Sequence, residues 1–177
     1  MAVWADAAPC QQIDRGPSLK DVPLMSSATK LRLIPYDAKG KPLGDVGELP
    51  HDIEGNCAST AAMLATAGFS PPWVGYVAIA DRIPVGGCAF VGAPKNGQVE
   101  IAYYTIEAHH GRGFATRMVE LMIEIAHATD SSITLTAKTL PKENASTTIL
   151  RRTGFQFFGE AIDSDIGRAW EWRLLPV

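Results

Sequence analysis

Residues Glu107 to Glu120 read EAHHGRGFATRMVE, and the chain changes character inside them. Before them, QVEIAYYTI (98–106) is rich in β-branched and aromatic residues, as a strand requires. After them, apolar residues recur at Phe114, Met118, Leu121, Met122 and Ile125, the spacing of one helix face. A strand therefore enters a helix through Gly111-Arg112-Gly113. Glycine adopts left-handed backbone at little cost, so a tight turn is the first use of this triplet.

Two further uses compete with a bare turn. A dinucleotide fingerprint would need a third glycine where Thr116 stands, and an acidic residue at the end of the next strand. Asp130 instead precedes that strand, SSITLTAKT (131–139), and no Gly-Lys-Ser/Thr Walker sequence occurs. The other use is a pyrophosphate cradle. Successive main-chain N–H groups from Gly111 to Ala115 would face an anion, with the positive helix end behind them. Arg112 would add a charge-assisted contact.

Outward from this turn the elements fall into order. KLRLIPYD (30–37) alternates as a half-buried strand, and NCASTAAMLATAGF (56–69) reads as a helix closed at Gly68. WVGYVAIAD (73–81) and VGGCAFVG (85–92) form a hairpin. Asn96-Gly97 then signals a second hairpin into QVEIAYYTI. Beyond the central helix and SSITLTAKT, ENASTTILRRTGF (143–155) is a short helix stopped by Gly154. FQFFGEAI (155–162) and RAWEWRLL (168–175) are two closing strands. The expected fold is α/β (α+β): a mixed, mostly antiparallel sheet with one parallel crossover. Residues 1–29, with Pro9, Pro17 and Pro23, read as an irregular lead-in, and 30–177 as a single domain.

Bulk properties narrow the class. The 177 residues are 46% hydrophobic and 20% charged, ordinary for a globular domain with its own core. A net charge of −3 lacks the basic excess of a nucleic-acid or anionic-membrane binder. Cys10, Cys57 and Cys88 form no CxxC pair, which suits reduced thiols better than disulfides or zinc. No apolar run approaches a membrane span, and the N-terminus lacks a secretory pattern, so a cytoplasmic location is expected.

With these residues in place, VEIAYYTIEAHHGRGFATRMVE (99–120) resembles the strand-turn-helix of the GNAT superfamily of acetyl-CoA-dependent N-acetyltransferases. The family signature Gln/Arg-x-x-Gly-x-Gly/Ala is matched by His110-Gly111-Arg112-Gly113-Phe114-Ala115, with His in the first place. ENASTTILRRTGF is similar to the family's next helix, and FFGEAIDSDIGRAWEWRLL (157–175) to its final hairpin. The resemblance runs from about Lys30 to the C-terminus and is strongest from Trp73 onward. Ser146 occupies the family's serine slot, Asn144 falls one place later than usual, and Leu150 stands where many members carry a tyrosine general acid.

The resemblance implies acetyl-CoA as co-substrate, a GNAT-like sheet, and no metal. Its pyrophosphate would lie on His110, Gly111, Arg112, Gly113, Phe114, Ala115 and Thr116, with a contact from Asn144. The thioester would lie along EIAYYTI, where a bulge exposes main-chain N–H groups and an amide among Tyr104, Thr105 and Ile106 polarises its carbonyl. Glu100 is the candidate general base. Flanked by Val99 and Ile101, its carboxylate would be raised toward a useful range, while a solvated edge glutamate is the plainer alternative.

Other side chains have ordinary readings beside functional ones. His109 and His110 are adjacent and point apart, and His51 and His127 lack chelating spacing, so surface roles fit them better than a metal. Trp73, Tyr76, Tyr103 and Tyr104 would wall an acceptor pocket or fill the core. Trp170 and Trp172 read as core or interface. Cys88 has no evident activating histidine, which favours direct transfer over a thiol intermediate. The expected activity is acetyl transfer to a small-molecule or peptide amine, without nucleic-acid or membrane partners and with a homodimer as default. An acyl-CoA-binding or regulatory module lacking catalysis is the alternative.

Overall fold

The structure, a computed structural model, describes residues 30–51, 53, 66 and 68–176. The strands are β1 (Leu31–Pro35), β2 (Gly75–Ala80), β3 (Ile83–Phe90), β4 (Gln98–Thr105), β5 (Thr134–Thr139), β6 (Gln156–Asp163) and β7 (Gly167–Leu174). The helices are α1 (Phe114–Thr129) and α2 (Ala145–Arg152), with a short 3-10 turn over Glu107–His109. The lead-in over residues 1–29 lies outside the described residues. So does most of the helix expected over 56–69, of which Thr66 is helical.

Local chemistry sets the hairpins. Asn96 and Gly97 have φ of 51° and 72°, the left-handed pair that matches strand twist in a two-residue turn. Lys95 N–H donates to Gln98 O at 2.8 Å, and Gln98 N–H returns to Lys95 O at 3.0 Å. Asp81 and Arg82 make the β2–β3 turn with φ of 48° and 68°, using no glycine.

All seven strands join one sheet in the order β1-β2-β3-β4-β5-β7-β6. Every pairing is antiparallel except β4 with β5, which is reached through the α1 crossover. That parallel ladder is short: Gln98↔Thr134, Val99↔Leu135 and Glu100↔Thr136. Beyond Glu100, β4 stays with β3 and β5 stays with β7, so the sheet forks at its centre.

Each face of the sheet has its own apolar layer. On one side Phe90, Ile101 and Leu135 pack with Met118, Val119 and Met122 of α1 and with Leu150 of α2. Burying a side chain of the size of Met118 or Met122 contributes roughly 1.5–3 kcal/mol. Trp172 is fully buried here, and its indole N–H donates to Thr139 Oγ1 at 3.0 Å, so the polar edge is satisfied. On the other side Tyr36, Val46, Ile53, Val77 and Ile79 form a second cluster, with Tyr104 and Ile106 packed against it. Among the described residues no helix is long and apolar enough to cross a membrane.

Candidate active site

The fork decides which main-chain groups of β4 are available. Val91 N–H donates to Glu100 O at 2.8 Å and Ile106 N–H to Val85 O at 2.9 Å. In an antiparallel pair this bonding alternates, so the amides of Ala102 and Tyr104 also face β3. Those of Tyr103 and Thr105 face the other way, into the fork. The β3–β4 ladder runs from Gly86↔Thr105 to Phe90↔Ile101 in uniform register. The bulge expected here is therefore replaced by strand divergence. Of the three positions among which one amide was expected to meet a thioester carbonyl, Ile106's amide is committed to Val85 and Tyr104's lies on the β3 side. Thr105 keeps an outward amide, and Tyr103 adds one that the sequence reading missed.

The fork widens into a cleft that opens to solvent. One wall carries Glu100, Ala102 and Tyr103 of β4. Opposite are Ala137, Lys138 and Thr139 of β5, with Asn144, Ser146 and Leu150 at α2. Asp163 and Ile166 close it from the β6–β7 hairpin.

Just past β4 comes the Gly-Arg-Gly turn. Gly111 and Gly113 have φ of 72° and 81°, and an added Cβ on either would meet nothing among the described residues within 4 Å. Glycine is needed here for backbone handedness, since the space itself is open. Arg117 N–H closes the first helical bond on Gly113 O at 3.0 Å, and no described side chain caps α1. The amides of Phe114, Ala115 and Thr116 are thus left without an intrahelical acceptor, at the positive end of the dipole.

His110 explains its own presence. Its Nε2 lies 2.7 Å from Thr105 O. A carbonyl only accepts, so Nε2 carries the proton and ties the turn to the end of β4. Arg112 donates to His109 Nδ1 at 3.3 Å. Partial burial, and then the Arg112 charge, hold His109 below the usual imidazole range. Among the described residues no cluster of His, Cys, Asp or Glu suits a metal.

Glu100 is half-buried, but its surroundings are ionic where apolar ones were expected. Lys138 Nζ lies 3.1 Å from Glu100 Oε2 and 3.2 Å from Asp163 Oδ2. Register explains the first contact: Glu100 pairs with Thr136, and Lys138 shares the face of Thr136 two residues on. Burial alone would lower Lys138, but Glu100 and Asp163 outweigh it and hold the ammonium above its ordinary range. Asp163 is kept below the usual carboxylate range. Burial opposes this, while the amides of Asp165 and Ile166 and the Lys138 charge favour it.

The remaining candidates divide cleanly. Asn144 caps α2: its Oδ1 accepts from Thr147 N at 2.9 Å, and Thr147 Oγ1 accepts from Asn144 N at 3.0 Å. Its carbonyl oxygen is thereby engaged, although the residue lines the cleft. Trp73 and Tyr76 are core, the latter donating its hydroxyl to Pro72 O at 2.6 Å. Tyr104 belongs to the second apolar cluster, with its ring over Gly87. Tyr103 lines the cleft, and its hydroxyl points to Ser146 O at 3.3 Å. Cys88 is buried, and burial pushes its thiol far up, so it offers no thiolate nucleophile.

Comparison with known proteins agrees with this fold. The family model described as Acetyltransferase (GNAT) domain matches residues 46–156. The chain belongs to this family of acetyltransferases. A GNAT-family acetyltransferase from Bacillus anthracis has a similar structure, with a TM-score of 0.58 at 12% identity, covering 82% of this chain and 95% of that one. A ribosomal-protein-S5-alanine acetyltransferase from Vibrio fischeri superposes with a TM-score of 0.60 at 14% identity, over 82% and 92%. A ribosomal L7/L12 alpha-N-protein acetyltransferase in complex with coenzyme A gives 0.59 at 18%, over 85% and 96%. At these identities the likeness is one of fold. No curated protein matches the sequence.

Proposed function

We propose that the chain moves an acetyl group from acetyl-CoA to an amine by direct attack within a ternary complex. The observation that carries this reading is the opening of the β4–β5 fork immediately before an uncapped helix start flanked by two left-handed glycines. In it, the amides from Gly111 to Thr116 take the pyrophosphate, with Arg112 adding charge. His110 holds the turn, and Asn144 borders the cofactor at the cleft wall. The thioester carbonyl lies against the strand end at Tyr104, Thr105 and Ile106, where Thr105 offers the outward amide. Glu100 receives the proton that the acceptor ammonium must lose. Burial of Cys88 favours direct transfer over a ping-pong thiol.

The acceptor is a peptide or small-molecule amine. The relatives named for ribosomal-protein substrates support the former. Such an acceptor, and a free Cys88, suit the cytoplasm. Titration calorimetry with acetyl-CoA tests the reading. Saturable binding should weaken about tenfold or more in Gly113→Asp, where left-handed strain and a negative charge oppose the phosphate together. A folded wild-type protein that ignores acetyl-CoA would overturn it.

A second reading, binding without catalysis, draws on Leu150, an apolar residue at the family's tyrosine position. Acetyl-CoA would then bind normally and release no CoA with any amine offered.

A further inference from the structure

We propose that Tyr103 donates the proton that the departing CoA thiolate takes up, its phenol arriving from β4 at the helix face where α2 carries Ser146 and Leu150. This rests on the acetyl-transfer reading above. Ser146 and Leu150 are four residues apart on α2 and therefore stack on one face. The Tyr103 hydroxyl meets that face at Ser146 O. At 3.3 Å this bond is long for O–H···O, so the proton can be redirected without breaking a strong contact.

Several other polar groups of the cleft already have partners. Thr139 Oγ1 accepts from Trp172, and the Asn144 oxygen caps α2. Lys138 is a poor donor because two carboxylates hold it. It also lies on the Glu100 face, and alternation along β4 puts Tyr103 on the opposite one. Acid and base thus flank the fork from its two sides. Burial raises the Tyr103 phenol above its ordinary range, which keeps its O–H in place to meet an anionic sulfur.

The step balances as follows. The ammonium gives one proton to Glu100, and the free amine forms a C–N bond to the thioester carbonyl carbon. The C–S bond breaks with its electron pair on sulfur, and sulfur takes the Tyr103 proton. The second amine proton leaves to solvent as the carbonyl re-forms, and through the open cleft Glu100 sheds the proton it took while the phenolate regains one.

The test reads the thiolate directly. Free CoA is bound to the protein, and its thiolate absorbance is followed against pH for the wild type and Tyr103→Phe. Phenol donation to sulfur should give the wild type about tenfold more thiolate at a given pH. With amine present, Tyr103→Phe should lower kcat by about 10- to 100-fold while acetyl-CoA affinity stays within about twofold. Equal titration curves and equal kcat would overturn the proposal and leave acetyl transfer standing. A bound thiol titrating as free CoA on the wild type would do the same, with no variant required. Failure of the wild type to bind CoA would overturn the transfer reading itself, and the donor with it.

Discussion

In the proposed reaction Glu100 would serve as a base while Lys138 stands 3.1 Å away. An ammonium acceptor entering the cleft brings a second cation to the same carboxylate, so proton removal begins from competition between two amines. Asp163 makes this workable by keeping a share of the Lys138 charge. Glu100→Gln should lower turnover by about 100-fold or more with acetyl-CoA affinity unchanged, since the pyrophosphate turn is untouched. Steady-state kinetics beside calorimetry decides it, and unchanged turnover would remove Glu100 from the chemistry. Glu100 was legible in the sequence as a carboxylate in a strand. Lys138 and Asp163 were not, because their contacts depend on strand register and a hairpin distant in the chain. The reason for His110 was equally hidden: its bond to Thr105 O spans five residues through a turn whose shape no local pattern specifies.

Among the elements, α2 forms a cleft wall and depends on its first turn. Asn144 and Thr147 satisfy each other's amides there, in a segment of only eight helical residues. Asn144→Ala should destabilise the protein by about 1 kcal/mol in urea unfolding. It should also weaken acetyl-CoA binding more than a surface substitution such as Lys142→Ala. A stability loss with binding intact would show that the cap serves the helix alone. The elements themselves were largely readable, as Asn96-Gly97 shows: a turn demanding two left-handed residues leaves a strong local signal. The fork was not readable. Nothing in QVEIAYYTI or SSITLTAKT announces that their ladder stops after Glu100↔Thr136. The bulge implied by the family resemblance stood in for what is a divergence of two strands.

At the scale of the molecule, the ion pairs across the fork tie the two half-sheets and the closing hairpin together. Asp163 is held below its ordinary value of 3.8, so its contribution to stability is complete above that value and is lost as pH falls through the lower, folded one. Urea unfolding of wild type and Asp163→Asn should therefore differ most near neutrality and converge in acid below about pH 4. A constant difference at every pH would mean that packing, and not charge, sets the effect. The order of elements along the chain already implied a mixed sheet with one crossover. Which faces the loop after β1 and helix α1 cover emerged only with the two apolar clusters.

A seven-stranded open sheet ordinarily has two edges, and this one has four. From Tyr103 onward β4 is central by position and peripheral by bonding, and the end of β5 mirrors it. Exposed edges recruit other chains, which is why proteins shorten, charge or cover them. Here the inner pair faces a cleft walled by Asn144, Ser146 and Leu150 on one flank and by Asp163 and Ile166 on another. The unpaired edge of β4 is thus turned inward, toward other parts of the same chain, where an outer strand would present it to neighbours.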